Sequence, residues 1–381
     1  MICKGEYFYQ KNMKNRTVVA VGMSGGVDST MAAYILKNKG YEVTGITMRI
    51  WQGEGIAQES VRSGCYGPGE VYDTQVARQA CERLGISHHV VDLSQEYKSQ
   101  VLDNFSHEYL GGRTPNPCVL CNPLVKFGAL LEKATELGIN FDFFATGHYA
   151  RIDYDKTRDR YLLKKAADLK KDQSYFLYRL NQSQLKRSLF PLGEFIKEQI
   201  KELAKEAGFS DIADKPESQD FIDGGIYKSL FSEPDRRKGE IVDLDGKVLG
   251  FHHGIINFTI GQRKGISIGG SKEPLYVLGI DAQKNQIVVG PKDKLAVDRL
   301  TAIYPNWIAF DKLDGRLEAS ARLRSHQKEI PCVIFPKDEN SVEVQFTLSQ
   351  FSATPGQSIV FYHDDMIIGG GIIQSTHQLI Y

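Results

Sequence analysis

The sequence predicts an α/β fold, with a doubly wound parallel sheet in the first 215 residues and a β-rich part after them. Two observations support this prediction. Short apolar, β-branched runs alternate with helical stripes in the first part, which is typical of a parallel sheet covered by helices. Beyond residue 216 helices become scarce, glycines are frequent, and short segments alternate apolar and polar side chains.

The first strand is predicted at residues 17–21, because Thr-Val-Val-Ala-Val is an apolar, β-branched run. The chain then turns through a Gly/Ser segment into a helix, where Met31, Ile35 and Leu36 recur at helical spacing. Gly40 follows where a glycine commonly ends a helix. Further strands are predicted at 41–50, 86–93 and 141–146, and further helices at 76–84 and 198–207.

The second part of the chain divides again. Short strands are predicted at 240–244, 246–249, 275–280 and 286–289. A small all-β module follows residue 298, with alternating segments at 342–348, 358–362 and 366–373 and a tight turn at 363–365. We therefore expect three domains, at residues 1–215, 216–297 and 298–381.

Composition excludes some classes of protein. No apolar run approaches the roughly 18 residues that a membrane helix needs. The first sixteen residues are polar and lack a signal-peptide core, so a cytoplasmic protein is expected. Its six cysteines are then expected to be reduced thiols. Basic and acidic residues balance at 47 each, so any RNA site must come from local patches.

The most specific local feature is the segment Gly22 to Ser29, which contains Ser24-Gly25-Gly26-Val27-Asp28-Ser29 after Met23. Glycines let the backbone turn sharply and approach a ligand, and exposed N–H groups before a helix form an anion cradle. Asp28 is a candidate ligand of Mg²⁺. Because the loop contains no lysine, it differs from the GxxxxGK[ST] loop that grips a transferred γ-phosphate.

This loop resembles the SGGVDS motif of the N-type ATP pyrophosphatases, which split ATP between its α and β phosphates. Five further segments resemble the bacterial tRNA-specific 2-thiouridylase family, in the family's order and across nearly the whole chain. They are residues 113–122, 145–149, 171–177, 258–265 and 354–357. The resemblance implies an ATP pyrophosphatase domain, a small central domain that contacts tRNA and a C-terminal β-barrel.

The resemblance also implies an activity: adenylation of O2 of the wobble uridine, U34, in the tRNA anticodon loop and its replacement by sulfur from a donor. ATP and Mg²⁺ would be needed. Residues Gly22 to Ser29, Met48 and Gly147 would bind ATP. The residues expected to face the target base or the tRNA are Asn116, Pro117, Cys118, His148, Lys171, Asp172, Gln173, Arg263 and Arg324. His148 also allows a simpler interpretation, as a hydrogen-bonded core histidine.

The cysteines depart from the usual family pattern. Cys118 occupies the position of the aspartate in the family's NPDxxC segment. It forms a CxxC pair with Cys121, the catalytic candidate. A second catalytic cysteine is missing from the matching stretch, residues 217–222. Together with the segment Cys65 to Glu70, these changes resemble an iron–sulfur-dependent branch. That branch implies a [4Fe–4S] cluster held by Cys65, Cys118 and Cys121.

Residue placement leaves the sulfur chemistry open. Asn122 and Pro123 are a good N-cap and N1 pair, so Cys121 is expected just before a helix N-terminus, where a thiolate is favoured. A cluster, a dithiol or persulfide relay, and a structural zinc site all fit a CxxC pair. Of the other cysteines, Cys81 is expected in a helix core, Cys332 in a barrel strand and Cys3 in a terminal tail.

Two other functions remain as alternatives. One is a different adenylating enzyme of the same superfamily, which delivers nitrogen, although the sequence contains no glutaminase motif. The other is a non-catalytic, nucleotide-dependent RNA-binding protein. Intact Asp28 and the CxxC pair argue against it, and pyrophosphate release from ATP would separate the cases.

Overall fold

The protein is described by a computed structural model that covers residues 17–53, 64–214, 220–222, 230–266, 268, 273–351 and 353–377. The described residues form two compact units. The first comprises those within 17–98, 120–222 and 365–367, and the second comprises those within 99–119, 230–364 and 368–377. The segment 99–119 therefore packs with the second unit although it lies within the N-terminal half of the chain.

The α-helices in the described residues are α1 (Val27–Asn38), α2 (Gly69–Leu84), α3 (Ser94–Tyr97), α4 (Asp103–Leu110), α5 (Pro117–Cys121), α6 (Leu130–Glu136), α7 (Gln182–Lys186), α8 (Lys197–Glu206) and α9 (Ser210–Ala213). Short 3₁₀ helices occur at Ser174–Leu177, Glu233–Arg236, Ile255–Asn257 and Lys292–Leu295. π-Helical segments occur at Lys98–Leu102 and Asn122–Ala129. Within this part of the chain no helix is both long and apolar enough to cross a bilayer.

The strands of the first unit and its hairpin are β1 (Val18–Gly22), β2 (Glu42–Arg49), β3 (Gly64–Tyr66), β4 (Ser87–Asp92), β5 (Phe143–Ala145), β6 (Arg151–Asp155), β7 (Arg160–Lys164), β8 (Ser188–Leu189) and β9 (Asp220–Ile222). Those that follow are β10 (Lys238–Val242), β11 (Val248–His253), β12 (Tyr276–Asp281), β13 (Gln286–Gly290), β14 (Val297–Trp307), β15 (Leu317–Arg322), β16 (Ile330–Asp338), β17 (Ser341–Gln350), β18 (Ser358–His363) and β19 (Met366–His377).

A five-stranded parallel sheet forms the centre of the first unit, in the order β4-β2-β1-β5-β8. The central strand β1 pairs with β2 through Val19 and Val43, and with β5 through Val19 and Phe143. Val19, Ala20 and Val21 are fully buried. The strand order reverses on either side of β1, and open α/β sheets bind ligands at such a point, beyond the carboxyl ends of the strands.

Helices α1, α2 and α8 cover this sheet. The stripe predicted for α2 is buried as expected, with Ala77 and Cys81 fully inaccessible to solvent. Gly85 ends α2 in the left-handed conformation, at φ +61°. Helical periodicity was therefore sufficient to predict which face of α2 packs on the sheet.

The helix that carries the CxxC pair begins at Pro117, earlier than predicted. It continues without interruption as α5, the π-helical segment and α6. Pro123 therefore lies inside the helix, where it has no N–H to donate and its ring crowds the preceding turn. The backbone is π-helical there, and the carbonyl of Pro123 accepts a hydrogen bond of 2.7 Å from Gln184 Nε2. The predicted N-cap and N1 roles of Asn122 and Pro123 are wrong.

The second unit contains two β structures. A four-stranded sheet has the order β11-β10-β13-β12 and buries Ile241, Val277 and Ile287. A six-stranded barrel follows in the order β14-β17-β16-β15-β18-β19, and pairing between β14 and β19 closes it. This architecture, with a parallel-sheet domain, a central domain and a closed barrel, agrees with the fold class predicted from the sequence.

Candidate active site

A cavity of about 260 Å³ lies in the first unit at the carboxyl ends of β1, β2 and β5. It brings together many residues that the sequence marked as functional: Gly22, Met23, Ser24, Asp28, Ser29, Met48, Cys65, Gly147, His148 and Gln173. Further lining residues, which sequence reasoning missed, include Thr47, Asp73, Lys126 and Thr146. Glu70 also lines the cavity, although the sequence marked it only as the last residue of the segment Cys65 to Glu70.

The phosphate loop connects β1 to α1, so the N-terminus of α1 faces the cavity. Its two serines contact each other: the backbone N–H of Ser24 donates to Ser29 Oγ, and the two hydroxyl oxygens are 3.2 Å apart. Ser29 Oγ also donates to the Gly26 carbonyl. The serines thus stabilise the loop itself, while the N–H groups at a helix N-terminus form a binding site for an anion.

The glycine that the loop geometry requires is Gly25 rather than Gly26. Gly25 has φ +74°, and a Cβ there would lie 2.5 Å from the backbone oxygen of Asp73. Gly26 has φ −92°, and a Cβ there would meet only Ser24 Oγ, at 3.6 Å. Gly25 therefore lies where the backbones of the loop and α2 meet, and only glycine fits this contact.

Gly147 packs directly on the start of α1. A Cβ on Gly147 would lie 2.7 Å from the Asp28 carbonyl carbon and 2.8 Å from the Ser29 nitrogen. Glycine is needed because the chain after β5 and the phosphate loop touch through their backbones. This contact brings the ends of β5 and β1 to the same side of the cavity.

Asp28 forms an ion pair that the sequence did not predict. Its two carboxylate oxygens lie 2.8 and 2.7 Å from Lys197 Nζ, and the Tyr149 hydroxyl donates to Oδ1 at 2.9 Å. The Lys197 side chain is only 5% exposed. A lysine near the start of a predicted helix normally lies at the surface. The neighbouring residues therefore gave no indication that Lys197 pairs with Asp28. A Mg²⁺ ion at Asp28 would compete with Lys197.

His148 is a neutral side chain in this cavity. Its Nδ1 shares a hydrogen bond of 2.7 Å with Thr146 Oγ1, and its ring packs against Phe127 and Phe190. Burial holds the pKa of His148 well below its usual value, and Lys126 lowers the pKa further. An unprotonated imidazole suits shape and hydrogen-bond recognition better than proton donation.

Lys126 lies on the π-helical segment and lines the cavity. Among the described residues it makes no ion pair, in contrast to Lys197. Its charge acts on both His148 and Cys121. Lys126 is therefore a cation available to neutralise a bound anion.

The thiol of Cys121 is not activated in this conformation. Burial raises the pKa of Cys121 to about 11; Lys126 lowers it, and Cys65 raises it. The expected position of Cys121 just before a helix N-terminus is wrong, because the helix begins four residues earlier and Cys121 is half-buried at its end. Cys65 is exposed and lines the cavity.

The remaining cysteines have clear positions. Cys118 is half-buried on α5, three residues before Cys121. Burial raises the pKa of Cys81 and Cys332 to about 12, in α2 and β16 respectively. Cys3 lies outside the described residues. Within the described part of the chain no three His, Cys, Asp or Glu residues are grouped closely enough to hold a metal ion.

Several residues expected to contact the base or tRNA lie elsewhere. Asn116 and Pro117 belong to the second unit, and Arg263 and Arg324 are exposed there. In the first unit, Asp172 is 8% exposed and accepts hydrogen bonds from Ser174 N and Oγ, so it stabilises its own turn. Lys171 beside it is half-buried. RNA contacts by these residues stay a prediction.

Three family models match the chain consecutively. Their descriptions are tRNA methyl transferase HUP domain, at residues 17–222, tRNA methyl transferase PRC-barrel domain, at 230–291, and aminomethyltransferase beta-barrel domain, at 297–373. The first covers more than half of the chain.

Curated relatives match over nearly their whole length. The tRNA-specific 2-thiouridylase MnmA of Endomicrobium trichonymphae is 47% identical, over 95% of this chain and 100% of the relative. MnmA 1 of Caldanaerobacter subterraneus subsp. tengcongensis is 47% identical, over 93% and 97%. MnmA of Acetivibrio thermocellus is 45% identical, over 93% and 99%.

Solved structures resemble the chain more distantly. NMN synthetase from Francisella tularensis has a TM-score of 0.32 and 17% identity, covering 56% of this chain and 71% of that one. A 4-thiouridine synthetase in complex with RNA and bound ATP has a TM-score of 0.31 and 19% identity, covering 54% and 44%.

Proposed function

Because this chain belongs to the tRNA-specific 2-thiouridylase family, we propose that it is an ATP-dependent tRNA-uridine 2-sulfurtransferase. Its substrate is the wobble uridine, U34, of tRNA. Its products are 2-thiouridine in the anticodon, AMP and pyrophosphate. A tRNA substrate supports a cytoplasmic location for the reaction.

One observation supports this proposal above the others: the phosphate loop and an exposed cysteine line the same cavity. Ser24 and Ser29 line the cavity at the N-terminus of α1, and Cys65 lies on the wall formed by β3. The cavity also contains Lys126 as a cation. Nucleotide activation and sulfur chemistry can therefore share one chamber.

The chemistry needs two displacements. In the first, uridine O2 forms a bond to the α-phosphorus of ATP, the bond from that phosphorus to pyrophosphate breaks, and the N3 proton is released. In the second, a sulfur nucleophile adds to C2, the bond from C2 to O2 breaks, and AMP leaves. The loop N–H groups and Lys126 would stabilise the charge on the phosphates. Met48 and Gly147 would line the adenine and ribose.

The function is tested by incubating the purified protein with unmodified tRNA, ATP, Mg²⁺ and a sulfur donor. The tRNA is then digested to nucleosides, which are identified by mass spectrometry. Their masses distinguish replacement of oxygen by sulfur from the methylation named in the family descriptions. Pyrophosphate release that depends on tRNA, together with 2-thiouridine, is expected. Methylated nucleoside, or pyrophosphate release without any thiolation, would refute the assignment.

For tRNA binding we propose contacts by Lys171, Arg263 and Arg324, with Asn116 and Pro117 facing the base. The two arginines are exposed, as phosphate contacts require. The base must leave its stack, which costs little in a single-stranded anticodon loop. Changing the three basic residues to Gln together should weaken tRNA binding and flatten its salt dependence, with ATP affinity unchanged.

For the sulfur step we propose that Cys65, Cys118 and Cys121 hold a [4Fe–4S] cluster. Three thiolates are a suitable donor set for iron. Burial, the largest cause, and the charge of Cys65 both raise the pKa of Cys121, so the two thiols interact electrostatically. In the described conformation, however, three such ligands are not grouped. The residues therefore fit a cluster only in part, and we assign no reaction step to it.

The alternative is a dithiol or persulfide relay through Cys118 and Cys121. Anaerobic purification followed by iron, sulfide and zinc analysis separates the two. Iron and sulfide in the purified protein, lost in each of the Cys65→Ser, Cys118→Ser and Cys121→Ser variants and retained in Cys81→Ser, support the cluster. Metal-free protein that thiolates tRNA, with Cys65→Ser fully active, supports the relay.

A further inference from the structure

The turn at residues 354–357 of the second unit holds the loop that leads into α5. The backbone N–H of Thr114 donates to the Pro355 carbonyl at 2.9 Å. The side-chain amide of Gln357 donates to the carbonyls of Thr114, at 2.8 Å, and Pro115, at 3.2 Å. Three hydrogen bonds therefore join segments that are more than 240 residues apart in sequence.

Packing at Gly356 makes this contact close. Gly356 has φ +90°, and a Cβ there would lie 2.9 to 3.0 Å from the backbone N, C and O of Thr114. The turn itself is attached to the barrel strand β19, since Gly356 N donates to the Ile373 carbonyl and Ile373 N donates to the Gln357 carbonyl, both at 2.8 Å. The loop is thus bonded to a turn that a closed barrel supports.

The held loop is stiff and short. Pro115 and Pro117 have fixed φ angles, and the residues before them, Thr114 and Asn116, are restricted to extended conformations. The loop leads straight into α5, which begins at Pro117 and carries Cys118. Fixing the carbonyls of Thr114 and Pro115 therefore fixes where the helix starts and how its first turn is oriented.

We propose that Gln357 is a positioning residue for sulfur transfer: through the carbonyls of Thr114 and Pro115 it sets the orientation of the first turn of α5, which presents Cys118. The C-terminal barrel then contributes to the chemistry without contacting a reacting atom. The role given to the cysteines rests on the proposed function. The hydrogen bonds between Gln357 and the loop are independent of that function.

The test uses Gln357→Glu in the full-length protein. Glutamate has nearly the same shape, but its carboxylate cannot donate to the two carbonyls and repels them. Gln350→Glu is the matched control, because Gln350 lies in the same barrel and its amide donates to the carbonyl of Leu348 in its own strand. Gly356→Ala is a second, independent disruption of the same contact.

Three quantities are measured: the melting temperature, the rate of 2-thiouridine formation with saturating ATP and tRNA, and the rates at which iodoacetamide alkylates each cysteine of the purified protein, mapped by mass spectrometry. Misplacing a reacting group by about 1 Å can cost about 100-fold in rate. We expect Gln357→Glu and Gly356→Ala to slow thiolation at least about 10-fold and to change Cys118 alkylation several-fold. Alkylation of Cys332 and the Gln350→Glu control should stay at wild-type rates.

Unchanged thiolation and unchanged Cys118 alkylation in Gln357→Glu would overturn the proposal. So would a loss of thiolation that matches a fall in melting temperature and appears equally in Gln350→Glu, since the effect would then be general destabilisation. If Cys118 alkylation changes while the wild-type protein forms no thiouridine, the positioning role stands and the proposed function fails.

Discussion

Lys197 Nζ lies 2.8 and 2.7 Å from the two carboxylate oxygens of Asp28, which joins the start of α8 to the first turn of α1. The two residues are 169 positions apart in the sequence. The lysine side chain is nearly inaccessible, whereas Asp28 remains partly open to the cavity. This pair fixes the carboxylate that the sequence alone marked as a metal ligand.

Replacing Lys197 by Met should abolish nucleotide activation. The change leaves the partly exposed Asp28 carboxylate without its cation, so stability should fall by about 2 kcal/mol. Loss of the charge that orients Asp28 should lower tRNA-dependent pyrophosphate release at least about 100-fold. Thermal melting and a pyrophosphate assay measure the two effects.

The control is Lys205→Met on the same helix, which removes only a surface ion pair with Asp214. Equal effects in both variants would contradict the prediction.

Gly25→Ala should disrupt the phosphate loop. Its backbone has φ +74°, and the new Cβ would be forced to 2.5 Å from the Asp73 carbonyl oxygen, so loop and helix must separate. Gly40→Ala is a matched control, since Gly40 has φ +88° with open space around it. We expect Gly40→Ala to cost only about 1 kcal/mol with ATP affinity intact. Gly25→Ala should lose ATP affinity about 10-fold or more, measured by calorimetry; wild-type affinity would show that the loop does not bind the phosphates.

Lys126→Gln should slow pyrophosphate release more than it weakens ATP binding. Lys126 lines the cavity near Cys121 and His148 and makes no ion pair within the described residues. A cation of this kind acts mainly on charge that develops during the reaction, with effects of about 100-fold. Lys133→Gln, farther along the same helix, removes only a partly exposed pair with Glu96 and should remain active. An equal fall in ATP affinity and in rate would mean that Lys126 only binds the ground state.

Glu70→Gln should change how stability depends on pH. The carboxylate of Glu70 accepts hydrogen bonds of 2.6 Å from the N–H groups of Ile50 and Trp51. Burial nevertheless raises the pKa of Glu70 from 4.5 to about 7. The folded state then binds a proton that the unfolded state has released, so this group lowers stability as pH rises from 4.5 to 7.

The variant lacks this pH-dependent loss. The melting temperature of Glu70→Gln minus that of the wild type should therefore increase between pH 5 and pH 8. Glu136→Gln, which removes an exposed carboxyl on α6, controls for the loss of one negative charge. A difference that stays constant over this pH range would show that Glu70 is not the titrating group.

Local pattern was sufficient for much of the fold. The apolar run before Gly22 predicted β1, and the spacing of Met31, Ile35 and Leu36 predicted α1, because both depend on side-chain periodicity within a few residues. The Gly/Ser segment between them predicted a ligand site at the edge of the sheet, and the cavity lies there. The start of the cysteine helix was missed, since Pro123 resembles an N1 proline and only the π-helical backbone accommodates it inside the helix.

The sequence by itself determined the order of the main strands β1, β2, β4 and β5 and of helices α1, α2 and α8, the position of the phosphate loop and the unusual set of cysteines. Only the tertiary structure decided that Asp28 is paired with Lys197, that burial raises the pKa of the Cys121 thiol, and that Gln357 holds the loop before α5. The physical reason is that periodicity and turn chemistry act between near neighbours in the chain. Charge pairing, burial and hydrogen bonds between distant segments depend on which surfaces the folded chain brings together.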